Sequence, residues 1–219
     1  ISEAAICGGD QTIADGNQIT ATQFEPQRKL FRNTRPTSTK NYYAVFTDGA
    51  GGLKLYKSPE GETWSQVGTL TSSNDVAASV WTHDDGSTFI AYITYGYAGT
   101  PDRPDKYVYY RRILILDNGD VTIGPSKNLG VIGSRPFIIR DRNAYVHIAY
   151  WGLTSGIGST ALSIAGTTTA NPGESPSFTF QTVITLKDGT EASCQLVSFT
   201  GSGNLMGYIG FGNREQTYE

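Results

Sequence analysis

Four segments of this chain repeat one pattern: "TSTKNYYAVFT", "DDGSTFIAYIT", "RDRNAYVHIAYWG" and "GSGNLMGYIGFG". Each is a polar turn, then apolar residues at every second position, then a small residue followed by an aromatic or branched one. The period of two belongs to half-buried strands. The small residues, Ala44, Ala91, Ala149 and Gly207, lie 47, 58 and 58 residues apart. A second marker returns the same spacing. Strand-like segments ending in Leu70, Leu129 and Leu186 are separated by 59 and 57 residues.

A shorter strand precedes each anchor ("RKLFRN", "AASVWT", "RPFIIRD", "SCQLVSF"). A third follows three of them ("GLKLYKS", "KYVYYRRILIL", "TALSIAG"), and the leucine-ended segment supplies a fourth. The repeat unit is therefore a four-stranded sheet. A twisted sheet of that size cannot bury both faces alone, whereas stacking such sheets radially gives every face a neighbour. The spacing predicts an all-β chain, a β-propeller of four-stranded antiparallel blades, about four of them visible. The units are 27–70, 76–130, 134–186 and 192–219, in one domain spanning 1–219. Residues 1–24 would contribute strands to a closing or preceding blade, or the chain would be part of a larger propeller. A β-sandwich is the alternative, since it too is built of short strands with regular turns.

Composition agrees with this class. Glycine supplies 26 of 219 residues, well above the roughly 7% of an average protein, and no stretch keeps apolar residues at helical spacing. The net charge is −3 with a pI near 5.4. The densest cationic features are the pairs Arg28-Lys29 and Arg111-Arg112, so nucleic-acid partners, which need a basic stripe, are disfavoured. No apolar run approaches the roughly 20 residues of a membrane-spanning helix, so membrane insertion is not expected. Cys7 and Cys194 are the only cysteines; they read either as two small buried thiols or as one disulfide of an oxidising compartment.

One turn is more specific than the rest. "SPEGETW", Ser58 to Trp64, resembles the Asp-box of the sialidase-like (BNR-repeat) β-propeller superfamily, Ser-x-Asp-Gly-x-Thr-Trp. Ser58, Gly61, Thr63 and Trp64 match, and Glu60 stands at the Asp position. "GSRPFIIRDRNAYVHIAYWG" resembles the first two strands of such a repeat. The resemblance implies a structural turn between the third and fourth strands, with side-chain caps on turn amides, Gly61 at positive φ and Trp64 buried in its blade. It also implies a secreted, cell-surface or virion protein that is a sialidase or related glycoside hydrolase, a lectin, or a non-catalytic module.

Propeller sites open at the channel mouth, near the starts of inner strands and the loops between blades. Arg28, Trp81, Arg135 and Gln195 fall on or beside inner strands. Sialidases hold a substrate carboxylate with three arginines, a task suited to guanidinium forks. Arg135 stands where one could lie, but the chain lacks a clear third arginine and the family's N-terminal Arg-Ile-Pro signature. Glycoside hydrolysis needs two facing carboxylates. Asp75 and Glu191 precede inner strands, whereas Asp84-Asp85-Gly86 and Asp117-Asn118-Gly119-Asp120 read as hairpin turns. His83 and His147 are isolated, which disfavours a metal site, and no cofactor motif appears. The loop Thr94–Tyr107 lengthens its unit's hairpin and carries Tyr95, Tyr97, Asp102, Arg103 and Asp105. With Arg135 and Trp81 these are the ligand-binding candidates. The expected function is non-catalytic recognition of a glycan or a partner protein, with an exo-acting glycoside hydrolase as the alternative and a structural assembly module, contacting a missing remainder or another subunit, as the third.

Overall fold

The computed structural model describes residues 29–47, 52–73, 76–99, 106–153, 160–186, 190–198 and 205–213, the last two segments as backbone only. Among them are fourteen strands and no helix. The first sheet is an antiparallel meander in sequence order: β1 (Leu30–Arg32), β2 (Tyr42–Thr47), β3 (Leu53–Ser58) and β4 (Ser65–Thr71). The second begins the same way with β5 (Val76–Asp84), β6 (Phe89–Tyr97) and β7 (Tyr107–Ile115). Its fourth place is shared by two pieces. β8 (Val121–Ile123) pairs with the far end of β7, and the first part of β9 (Lys127–Arg140) pairs with the near end. The second part of β9 then opens the third blade, followed by β10 (Val146–Leu153), β11 (Thr160–Thr167) and β12 (Phe178–Leu186). A last hairpin joins β13 (Thr190–Ser198) to β14 (Leu205–Asn213).

The pleat explains how the blades stack. Along β6, Phe89, Ala91, Ile93 and Tyr95 enter one core with Tyr43, Val45, Leu53 and Leu55 of the first blade. Their alternates Ile90 and Tyr92 enter a second core with Ile138, Val146 and Ile148 of the third. A sandwich buries one face of each sheet; the middle blade here buries both. The inner strand β5 lies beside both β1 and β9, and β13 lies beside β9. These are propeller blades in series. Leu53, Leu55, Ile93, Ile113 and Ile115 are sealed from solvent, each contributing about 1.5–3 kcal/mol by burial.

Two details depart from the reading of the sequence. The inner strand expected from "RKLFRN" shrinks to Leu30–Arg32, and the interval placed between units ending at 130 and starting at 134 lies inside the unbroken strand β9. Strands drawn from residues 1–24 fall outside the described residues.

The turn between β3 and β4 has the geometry its sequence implies at three points. Ser58 Oγ accepts from Gly61 N at 2.8 Å, Glu60 Oε1 accepts from Thr63 N at 3.0 Å, and Gly61 has φ +89°. The longer glutamate thus caps the turn as an aspartate would. Trp64 corrects the expectation of full burial. It is half-buried, and its indole Nε1 donates to Gly61 O at 3.1 Å, so it clamps the turn from the side.

Candidate functional site

The inner strand β5 and the second part of β9 begin at the same end of the stack, because Tyr97 at the end of β6 bridges to Val76 and to Ser134. At that end β9 carries a bulge. Ala149 opposes Phe137 but Trp151 opposes Ser134, so Tyr150 faces two residues, Arg135 and Pro136. Pro136 has no N–H to give to the ladder, and Arg135 takes φ +48°, a conformation rare outside glycine and further disfavoured before proline. Bulges and strained residues concentrate at functional sites, where they re-aim a side chain.

The re-aimed side chain is held on two sides. Arg135 Nε donates to Ala98 O at 3.0 Å, and its Cζ lies 5.0 Å from the centre of the Trp151 ring. Trp151 is itself 3% exposed, so it is a floor beneath the guanidinium. Beside it, Tyr97 is half-buried with Lys106 Nζ 5.6 Å from its ring centre. Gly133 makes the crossing of these strands close. A Cβ there would stand 2.6 Å from Tyr150 Cδ2 and 3.0 Å from Val108 Cγ2.

Among the described candidates the structure sets Tyr97 beside Arg135 along the backbone, through the bridge from Tyr97 to Ser134, and places Tyr95 and Trp81 elsewhere. Tyr95 is 2% exposed, stacks on Tyr109 at 5.3 Å, and shares a 2.5 Å hydrogen bond with Ser126 Oγ. The alternation of β6 turns it into the core, so it is not a ligand contact. Trp81 sits mid-strand on β5 opposite Tyr92, half-buried against the second core and a smaller cluster of Phe137, Ile139 and Ala149, away from Arg135. Asp102, Arg103, Asp105, Asp75 and Arg28 lie outside the described residues, and of Glu191 and Gln195 only the backbone, on β13, is described. Trp151 as the seat of Arg135 was not foreseen. The signal was present in the β9–β10 register, which the "RP" pair shifts by one.

At the opposite end, Asp84 and Asp117 do lie at hairpin turns, and His147 Nε2 is paired with Asp141 Oδ2 at 2.9 Å. Among the described residues no three His, Cys, Asp or Glu side chains gather as metal ligands would.

No protein-family model and no curated protein matches this chain. Among solved structures it is similar to a Penicillium chrysogenum alpha-L-arabinanase complexed with arabinobiose, at 12% identity and a TM-score of 0.46. That alignment covers 82% of this chain and 61% of the arabinanase, so the chain spans about three fifths of that protein's length. An endo-arabinase from Bacteroides thetaiotaomicron aligns at 13% identity and a TM-score of 0.35, covering 94% of this chain and 95% of that one.

Proposed function

We propose that this protein is a non-catalytic propeller that recognises glycans at the end of the blades where Arg135 and Tyr97 lie. The observation that carries the reading is Arg135 itself, kept in an unfavourable backbone conformation and seated on an indole. Such seating orients a guanidinium without the loss of side-chain entropy on binding that a free arginine would suffer. A fixed fork donates to sugar hydroxyls or a sugar carboxylate, and a neighbouring tyrosine face suits the C–H face of a pyranose or furanose ring. The protein would act outside the cell or on a virion surface, where glycans are met.

The test is a glycan array with the intact chain, repeated with Arg135→Ala. Retention of a defined glycan class, lost in the variant while its melting temperature stays close to that of the wild type, supports the reading. No retained glycan refutes it. Hydrolysis of aryl glycosides by the wild-type chain would replace it with the glycoside hydrolase reading.

A further inference from the structure

A second cluster lies at the other end of the cleft between the second and third blades. Trp81, Tyr92 and Arg112 form one cross-strand row on β5, β6 and β7. The pleat turns Tyr92, and with it this row, toward the third blade. His83 follows Trp81 by two residues on β5 and so shares that face. From the third blade Arg140, two residues after the core residue Ile138, faces back toward them. Arg112 and Arg140 both act electrostatically on the Tyr92 hydroxyl, and Arg140 also acts on His83. Asn171, on the loop between β11 and β12, accepts from Arg140 Nη2 at 2.6 Å.

The cluster is rich in donors, and two buried guanidinium nitrogens, Arg112 Nε and Arg140 Nε, have no hydrogen-bond partner. Tyr92 is completely buried. Buried donors are rarely left unmet in folded proteins, and two guanidinium groups facing one cleft repel unless an anion lies between them. Asp84 and Asp85 act electrostatically on His83, and Asp85 on Tyr92, but their hydrogen bonds go elsewhere. Asp84 Oδ1 receives Arg35 from the first blade, and Asp85 Oδ1 receives Ser87 N and Thr88 N within its own turn. Glu174, the remaining acid, lies along Gly124 on the flank of the cleft.

We infer that the cleft between the second and third blades is a binding site for a small oxyanion, held by Arg112 and Arg140 with His83 and Tyr92 in support. Two guanidinium forks from opposite walls match a group with several acceptor oxygens, a sulfate, a phosphate or a carboxylate, better than a neutral hydroxyl. The site is separate from Arg135. Arg140 follows it by five residues of extended strand, on the order of 17 Å away.

Isothermal titration of the intact chain with sodium sulfate, sodium phosphate and sodium glucuronate, against sodium chloride of equal ionic strength, tests this. The expected result is saturable binding of at least one oxyanion that chloride does not reproduce. Arg112→Gln and Arg140→Gln should each weaken it by about tenfold or more, as losing a charge-assisted bond does. Glu174→Gln should leave it unchanged or tighter. Preference for glucuronate would mark a sugar acid, and preference for sulfate or phosphate a tetrahedral ion. Arg112→Lys, which keeps the charge but not the fork, serves if a glutamine variant does not fold, and should also bind more weakly. Absence of saturable binding, equal binding of chloride, or full binding by the Arg112 variants would overturn the inference.

Discussion

Arg35 of the first blade reaches across to Asp84 of the second, Nη1 to Oδ1 at 2.7 Å, while its Nε donates to Asp117 Oδ1 at 2.8 Å. The arginine side chain is 9% exposed, and Thr37 Oγ1 adds a 2.5 Å bond to Asp117 Oδ2. These bonds, from Arg35 first and Thr37 second, hold the Asp117 carboxyl below its ordinary value. A carboxylate with a depressed native pKa gives stability that is present above its unfolded value and lost as pH falls through its folded one. Arg35→Gln should therefore lower the melting temperature at neutral pH and narrow the difference between neutral and strongly acidic solution. Parallel melting curves for the two proteins from pH 7 to pH 2 would refute the staple.

The strain at Arg135 can be isolated by two substitutions that both remove the guanidinium. Arg135→Gly admits the +48° φ without penalty, whereas Arg135→Ala keeps the Cβ that opposes it. The glycine variant should be more stable than the alanine variant by about 1 kcal/mol in urea denaturation. Equal stabilities would remove strain from the account of the site.

Gly133→Ala should destabilise by about 1–3 kcal/mol, the usual cost of overpacking. The new methyl would meet the Tyr150 ring at 2.6 Å and the Trp151 carbonyl oxygen at 3.1 Å. Because Trp151 also seats Arg135, the same variant should weaken any ligand bound there. Unchanged stability and unchanged binding together would show that the crossing relaxes.

Trp64→Phe removes the indole donor but keeps an aromatic ring. The expected loss is about 1 kcal/mol, that of one hydrogen bond. Trp64→Ala should cost more, about 1–3 kcal/mol, short of a fully buried aromatic because the ring is half-buried. Chemical denaturation of both variants provides the comparison, and a larger loss in the phenylalanine variant would contradict it.

Alkali should unfold the protein through its tyrosines. Burial raises the hydroxyls of Tyr43, Tyr92, Tyr109, Tyr110 and Tyr150 above their ordinary value, Tyr110 furthest. Above about pH 10 the unfolded chain sheds these protons and the native one keeps them, so stability falls as pH rises. Tyrosinate absorbance should appear in two stages, the second coinciding with loss of the circular-dichroism signal. Complete ionisation of all 13 tyrosines in a still-folded protein would contradict this.

What could be read from the residues follows the range of the interactions. Alternation and turn chemistry are local, so the strands, the repeat and the caps of the 58–64 turn were legible before any coordinates. The depth of Trp64 was not, because the turn sequence dictates its own hydrogen bonds and leaves open what covers the ring. Tyr95 shows a similar limit. Its position in a long inter-strand segment suggested exposure, while the pleat of β6 decided burial. The bond from Arg35 to Asp117 joins residues 82 apart and has no local signature. Nor has the cluster around Arg112 and Arg140, whose members come from separate blades. The two adjacent hairpin aspartates read correctly as turn formers, yet Asp84 also serves the neighbouring blade.

Strand β9 ends one blade and begins the next without a connecting loop. A sheet that shares a strand with its neighbour cannot be gained, lost or exchanged as a cassette, since excising either one leaves the other with a severed edge. Recombination points in this chain should therefore fall within 71–76 or 186–190, while a cut between 130 and 135 would open two sheets at once. The second and third blades would be expected to be inherited, and to unfold, as one indivisible pair.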